Sequence, residues 1–127
     1  MLESAVHKVL IIDDDPFISE MYVLKFKDEH FDVLVAQSGK DGLKKISEYD
    51  PDVILLDVVM PDMDGFQLLE ELKKQGGRPR KIIMLTNLGQ KEDVERGMAL
   101  GVRDYMVKAH FTPSEVAERV KKLLASE

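Results

Sequence analysis

Apolar runs of strand length recur along the chain, and segments with helical spacing separate them. Val6 to Ile12 is the first run, Phe31 to Ala36 the second, Val53 to Leu56 the third, Ile82 to Leu85 the fourth and Val102 to Val107 the last. Several are apolar at consecutive positions, so the strands they predict are covered on both faces, as in a parallel sheet. Pro16 to about Asp28 predicts a helix carrying Phe17, Met21, Leu24 and Phe26. Ser38 to Tyr49 carries Leu43 and Ile46, and Gly65 to Gln75 carries Phe66, Leu69 and Leu72. Glu92 to Leu100 carries Val94 and Met98. The last helix is the best marked. Thr112-Pro113-Ser114-Glu115 is a capping box with Pro at the first helical position, and Val116, Val120, Leu123 and Leu124 follow as a stripe. Strand and helix alternate along all 127 residues, which predicts one α/β domain over residues 1–127 with a parallel sheet.

The strand ends are where polar chemistry gathers. "VLIIDDDP" carries a buried-type run straight into Asp13, Asp14 and Asp15. Asp57 ends the third run in the same way. Ligands of an open α/β sheet bind beyond the carboxyl ends of its strands. If the first and third strands are neighbours, Asp13, Asp14 and Asp57 converge there. Three converging carboxylates need a cation or a retained proton. Mg²⁺ suits them, because it takes few carboxylates and completes its octahedron with water or phosphate oxygens. Asp15, directly before Pro16, reads as the N-cap of the first helix. "MLTN" brings the Thr86 hydroxyl to the same edge, and "RDYMVKAH" brings Lys108. An ammonium and a hydroxyl beside a metal site can neutralise and hydrogen-bond a transferred phosphoryl group. A carboxylate that attacks phosphorus becomes an acyl phosphate, and Asp57 ends a rigid strand facing these groups.

Composition narrows the setting. The net charge of −6 argues against a general nucleic-acid-binding surface, which is usually basic. The absence of Cys excludes disulfides and thiolate metal sites. The longest apolar runs fall far short of the ~20 residues of a membrane-spanning helix. A cytoplasmic protein is expected, with no membrane partner.

The stretches "VLIIDDDP", "PDVILLDVVMPDMDGFQLL", "IIMLTN" and "DYMVK", in order and at this spacing, resemble the receiver domain of two-component response regulators over nearly the whole chain. The resemblance implies a flavodoxin-like, doubly wound sheet of five parallel strands in the order 2-1-3-4-5, with five helices. It implies a phosphorylated signalling module, not an enzyme. Asp57 is then the phosphoacceptor. Asp14 is the direct Mg²⁺ ligand, Asp13 an acid acting largely through water, and the Val59 backbone carbonyl a further ligand. Thr86 and Tyr105 are the switch pair, and Lys108 binds phosphate. The implied partners are a sensor histidine kinase or histidine phosphotransfer protein, and an effector or second copy on the face of helix four, strand five and helix five. Glu92, Arg96, Arg103, Asp104 and Arg119 are candidates on that face.

Other readings carry less. A flavin-binding protein needs a phosphate loop after strand one, where three acids would repel phosphate. A haloacid-dehalogenase-type phosphatase needs an Asp two residues after its nucleophile, where this chain has Val59. "MPDMDGFQLLE" matches some positions of a calcium loop, but Met60 takes the first ligand position, so Pro61 to Gly65 reads as a turn beside Asp57. His7, His30 and His110 show no metal spacing, and Arg78, Arg80 and Lys81 read as a solvated loop. A degenerate receiver that only binds partners is the alternative, although every key side chain is present. Two positions depart from the usual receiver pattern. Ala109 stands where most receivers have Pro after the lysine, and Asn87 where most have a small residue after the switch Thr. A trans Lys108–Ala109 bond is expected, because a cis bond before a non-Pro residue costs ~3 kcal/mol. Val59 and Leu88 cannot orient an attacking water, and Asn87 is large enough to narrow its approach, so an acyl phosphate is expected to be long-lived.

Overall fold

Side chains two apart in a strand share a face, and the central strands of this chain bury both faces. In the computed structural model, which describes residues 6–126, β1 spans Lys8–Ile12, β2 Asp32–Ala36, β3 Val53–Leu56, β4 Ile82–Thr86 and β5 Asp104–Val107. All are parallel, in the order β2-β1-β3-β4-β5. The helices are α1 (Pro16–Asp28), α2 (Gly39–Tyr49), α3 (Gly65–Gln75), α4 (Lys91–Ala99) and α5 (Pro113–Ala125). Residues 1–5 and 127, the ends of the predicted domain, lie outside the described residues.

The two-residue period sorts the core into two layers. Val9, Ile11, Val53, Leu55, Ile83, Leu85 and Met106 meet Tyr22 and Phe26 of α1 and Val116, Ala117 and Val120 of α5. Leu10, Ile12, Ile54, Leu56, Ile82 and Met84 meet Ile46 of α2, and Phe66, Leu68 and Leu69 of α3. Full burial of each large aliphatic side chain contributes roughly 1.5–3 kcal/mol. The strand order switches direction between β1 and β3, and the space beyond the carboxyl ends of strands at such a switch point is where these sheets bind ligands.

The helix bounds follow their caps. Asp15 Oδ1 accepts from the amides of Phe17 (3.0 Å) and Ile18 (3.2 Å), and Pro16 is the first helical residue of α1. Ser38 caps α2, and the Thr112–Glu115 box caps α5. β5 starts later than the apolar run suggests, because Val102 and Arg103 belong to the turn before it.

The core face of α1 differs from the sequence reading. Of the apolar positions Phe17, Met21, Leu24 and Phe26, only Phe26 is buried; the helix packs through Ser19, Tyr22 and Phe26. Phe17, Met21 and Leu24 are 85%, 43% and 61% exposed and form a stripe at i, i+4, i+7 on the opposite side. Arg78 and Arg80 differ as well. They are not a free solvated loop, because both donate to Asp50 Oδ1, at 2.8 and 2.6 Å, and so pin the α3–β4 loop to the end of α2.

Candidate functional site

The register brings the acids together. Ile12 pairs with Leu56 across β1 and β3, so Asp13 and Asp57 leave adjacent strands at the same level. The ladder continues one step past each strand: the Asp57 amide donates to Ile12 O, and the Asp13 amide to Ala36 O, both at 3.0 Å. Each acid lies two residues beyond a strand residue that faces α1 and α5, Ile11 and Leu55 respectively. Lys108 lies two residues beyond Met106, of the same layer.

The three side chains meet. Lys108 Nζ donates to Asp13 Oδ2 at 2.6 Å and to Asp57 Oδ2 at 3.0 Å. Asp13 is 3% and Asp57 7% exposed. Burial pulls the Lys108 ammonium down, but the hydrogen bond to Asp13 and the charges of Asp57 and Asp13 outweigh it and hold the group above the ordinary lysine value. Burial pushes the Asp13 carboxyl up, against the hydrogen bonds it accepts from Lys108 and the Asp15 amide. Asp14 is exposed at the rim. Asp13, Asp14 and Asp57 can each present an oxygen within 4.8 Å of the others. That is an all-oxygen donor set, partly open to solvent, with no soft ligand. It fits a hard divalent cation that keeps part of its water.

The three adjacent acids therefore have separate tasks. Asp13 anchors Lys108 and accepts the Asp15 amide at 2.9 Å. Asp14 faces outward beside them, and Asp15 caps α1.

The floor on the other side is set by α3. Gly65 donates to Val58 O at 2.8 Å. A Cβ on Gly65 would lie 2.5 Å from Asp57 O, so only glycine lets the start of α3 approach the Asp57 backbone. Asp64 caps α3, and its box with Gln67 accounts for an acid that resembled a calcium ligand. Val59 is 61% exposed, and its amide donates to Asp57 Oδ1 at 3.3 Å.

Thr86 and Tyr105 occupy the second layer. Thr86 is fully buried two residues beyond Met84, and Tyr105 packs beside the same cluster. One residue joins them. The Leu88 amide donates to Thr86 Oγ1 at 3.3 Å, and the Leu88 carbonyl accepts from the Tyr105 hydroxyl. Burial, with the charges of Asp93 and Asp57, pushes the Tyr105 phenol up to about 12, so it remains a donor. The Tyr105 ring lies against Gly97 of α4, where a Cβ would come within 3.0 Å of it. The sequence reading named both ends of this link and named Leu88 only for its side chain near the pocket, because a backbone bridge leaves no side-chain signature.

The departures also have a structural account. No peptide bond among the described residues is cis, so Lys108–Ala109 is trans, as expected. Lys108–His110 form a one-turn 3-10 helix, and the Ala109 amide donates to Asn87 Oδ1 at 3.1 Å. The Leu88 side chain packs against the core. Of the charged candidates on the α4–β5–α5 face, Arg119 pairs with Asp104, and Arg96 lies 4.4 Å from the centre of the Phe66 ring and 3.8 Å from Glu70. Glu92 and Arg103 are exposed.

Comparison with known proteins points the same way. Residues 9–121 match the response regulator receiver domain family. The chain is 34% identical over 123 residues to the DNA-binding response regulator MtrA of Mycolicibacterium smegmatis, covering 97% of this chain and 53% of that protein. It is 37% identical over 117 residues to the alkaline phosphatase synthesis transcriptional regulatory protein PhoP of Bacillus subtilis, covering 92% and 48%. The chain thus spans about half the length of these curated relatives. The receiver domain of Francisella response regulator 1452 superposes with a TM-score of 0.86 at 36% identity, over 93% of this chain and 96% of that one. The strand order, the acidic crevice and these matches agree, and the chain belongs to the response regulator receiver domain family.

Proposed function

We propose that the protein is a cytoplasmic receiver that takes a phosphoryl group on Asp57 and thereby changes a partner-binding face, with residues 1–127 acting as one domain. Receiver domains of response regulators are signalling domains, and the family supports phosphorylation-based signalling. The observation that carries the assignment to Asp57 is the Lys108 bridge to Asp13 and Asp57, beside Asp14, beyond the sheet's carboxyl edge.

The donor is a phosphohistidine of a sensor kinase or a histidine phosphotransfer protein. A carboxylate oxygen of Asp57 forms a bond to phosphorus, the phosphorus–nitrogen bond breaks, and the freed imidazole keeps the electron pair and takes up a proton. Asp13, Asp14, Asp57 and the Val59 carbonyl would hold Mg²⁺, which supplies charge neutralisation for the phosphoryl oxygens. Lys108 follows the new negative charge from the carboxylates onto a phosphoryl oxygen. Thr86 donates its hydroxyl to another. Moving Oγ1 toward the phosphate stretches the bond it accepts from the Leu88 amide, and the Leu88 carbonyl holds the Tyr105 hydroxyl, so the β4–α4 loop and the Tyr105 ring shift together. The readout is the α4–β5–α5 face, where an effector or a second copy binds.

The exposed stripe of Phe17, Met21 and Leu24 supports the kinase reading. It begins two residues after the Asp15 cap, which directly follows Asp13 and Asp14 of the pocket, so a helical donor docked on it lies beside that pocket. A degenerate receiver would have no reason to keep this bridge of buried charges.

The test is direct. Incubation with acetyl phosphate and Mg²⁺ should add one phosphoryl group by intact mass, and Asp57→Asn should abolish it. Chelation should block it, because the uncompensated carboxylates repel the donor. Stoichiometric modification of Asp57→Asn would refute the assignment.

A further inference from the structure

We propose that Asn87 is the positioning residue for Lys108, holding the ammonium at Asp57 through the backbone of the next residue. This rests on the phosphotransfer reading above. β4 and β5 end in register, with Thr86 opposite Val107. The next residues are Asn87 and Lys108, and here the backbone ladder gives out. A side chain carries the pairing one step further: Asn87 Oδ1 accepts from the Ala109 amide at 3.1 Å.

The segment it holds has little other support. The Lys108–His110 turn has no side-chain cap. Its own closing bond, from the Phe111 amide to Lys108 O, is long at 3.4 Å. Ala109 and His110 are exposed, so only the Lys108 side chain is held in the interior. Yet the Lys108 ammonium must meet two carboxylates at once, at 2.6 and 3.0 Å. A long side chain on a loosely held turn would not keep that geometry by itself. Asn87 supplies the missing constraint from the end of a buried strand, one residue after Thr86, which is itself fully buried.

The two departures from the receiver pattern are thus two halves of one bond. Proline at 109 would have no N–H to give, and a small residue at 87 would have no carbonyl to receive it. Asn87 acts on the reaction only through Lys108, so its loss should behave as a partial loss of Lys108.

The experiment compares Asn87→Leu, which keeps the bulk and removes the acceptor, with the unmodified protein. With saturating Mg²⁺, the rate of phosphorylation by acetyl phosphate should fall on the order of tenfold, the penalty for a misplaced charge-stabilising group. The Mg²⁺ dissociation constant, read from a fluorescence or NMR titration, should not rise, because withdrawing the ammonium removes a competitor for the same carboxylates. In a Lys108→Ala background, Asn87→Leu should have no further effect on the rate. A normal rate in Asn87→Leu, or a loss that multiplies with that of Lys108→Ala, overturns the proposal. The geometry can also be judged without any phosphorylation. A crystal structure of Asn87→Leu should show Lys108 Nζ withdrawn from Asp57. An ammonium still bridging Asp13 and Asp57 overturns the proposal even if the protein proves not to be phosphorylated.

Discussion

Replacing Lys108 with Met leaves two buried carboxylates facing each other, and the size of that effect follows from the distances. At an effective dielectric of ~20, the ammonium attracts Asp13 at 2.6 Å by roughly 6 kcal/mol and Asp57 at 3.0 Å by roughly 5.5 kcal/mol. Carboxylate oxygens up to 4.8 Å apart repel by roughly 3.5 kcal/mol on the same basis. Dehydration of the three ions offsets most of the attraction, and the freed carboxylates regain water where the pocket opens. The net loss should be about 3 kcal/mol, the lower end for removing one partner of a buried pair. Urea unfolding at neutral pH in EDTA should show the midpoint falling by roughly 1.5–2 M for a slope near 1.5–2 kcal/mol per M. Saturating Mg²⁺ should reduce the loss below about 1 kcal/mol, because the cation takes over the neutralisation. A loss under about 0.5 kcal/mol in EDTA, or one that Mg²⁺ does not relieve, would refute the electrostatic reasoning.

Phe17→Glu should slow phosphotransfer from a phosphohistidine protein at least severalfold while leaving the acetyl phosphate rate within twofold, since the small donor needs no docking face; equal slowing of both would contradict the role of the α1 stripe. Val59→Asn should hasten decay of the phosphorylated protein on the order of tenfold, by giving an attacking water a partner beside Asp57; an unchanged half-life would count against a long-lived acyl phosphate. The Arg78 and Arg80 guanidiniums hold the Asp50 carboxyl below its usual value. This contribution to stability is present above the ordinary carboxylate range and is lost as pH falls through the lowered folded value. An NMR titration should place the Asp50 midpoint below 3.8 and move it upward in Arg80→Ala; identical midpoints would show that the pairing does not persist in solution.

The strands and most helix ends were legible because each carries its own local signal. Asp15-Pro16 starts a helix through its side-chain acceptor and its fixed φ, and Thr112 with Glu115 does the same. Consecutive apolar residues at 9–12 and 53–56, too short for a helix and stopped by acids, read as strands covered twice, and that sets where Asp13 and Asp57 emerge. The face of α1 was not legible. Its two sides carry competing stripes, and the more apolar one, Phe17, Met21 and Leu24, is the one left in water. Burial there was decided by where β1 delivers the helix, not by periodicity. Leu88 and Asn87 stand out in the sequence, but the bonds they make were not legible there. Their bonds join backbone to side chain across 17 and 22 residues, and no spacing rule marks such pairs. The tie of Arg78 and Arg80 to Asp50 spans a similar separation.

The central claim is that one carboxylate in this crevice receives the phosphoryl group. Treating the phosphorylated protein with borohydride converts an acyl phosphate to the corresponding alcohol, and tandem mass spectrometry then locates the residue. The account predicts homoserine at position 57 and unaltered aspartate at 13 and 14. Homoserine at 13 or 14 with intact Asp57, or no reduction product from a protein that has gained phosphate, would contradict it.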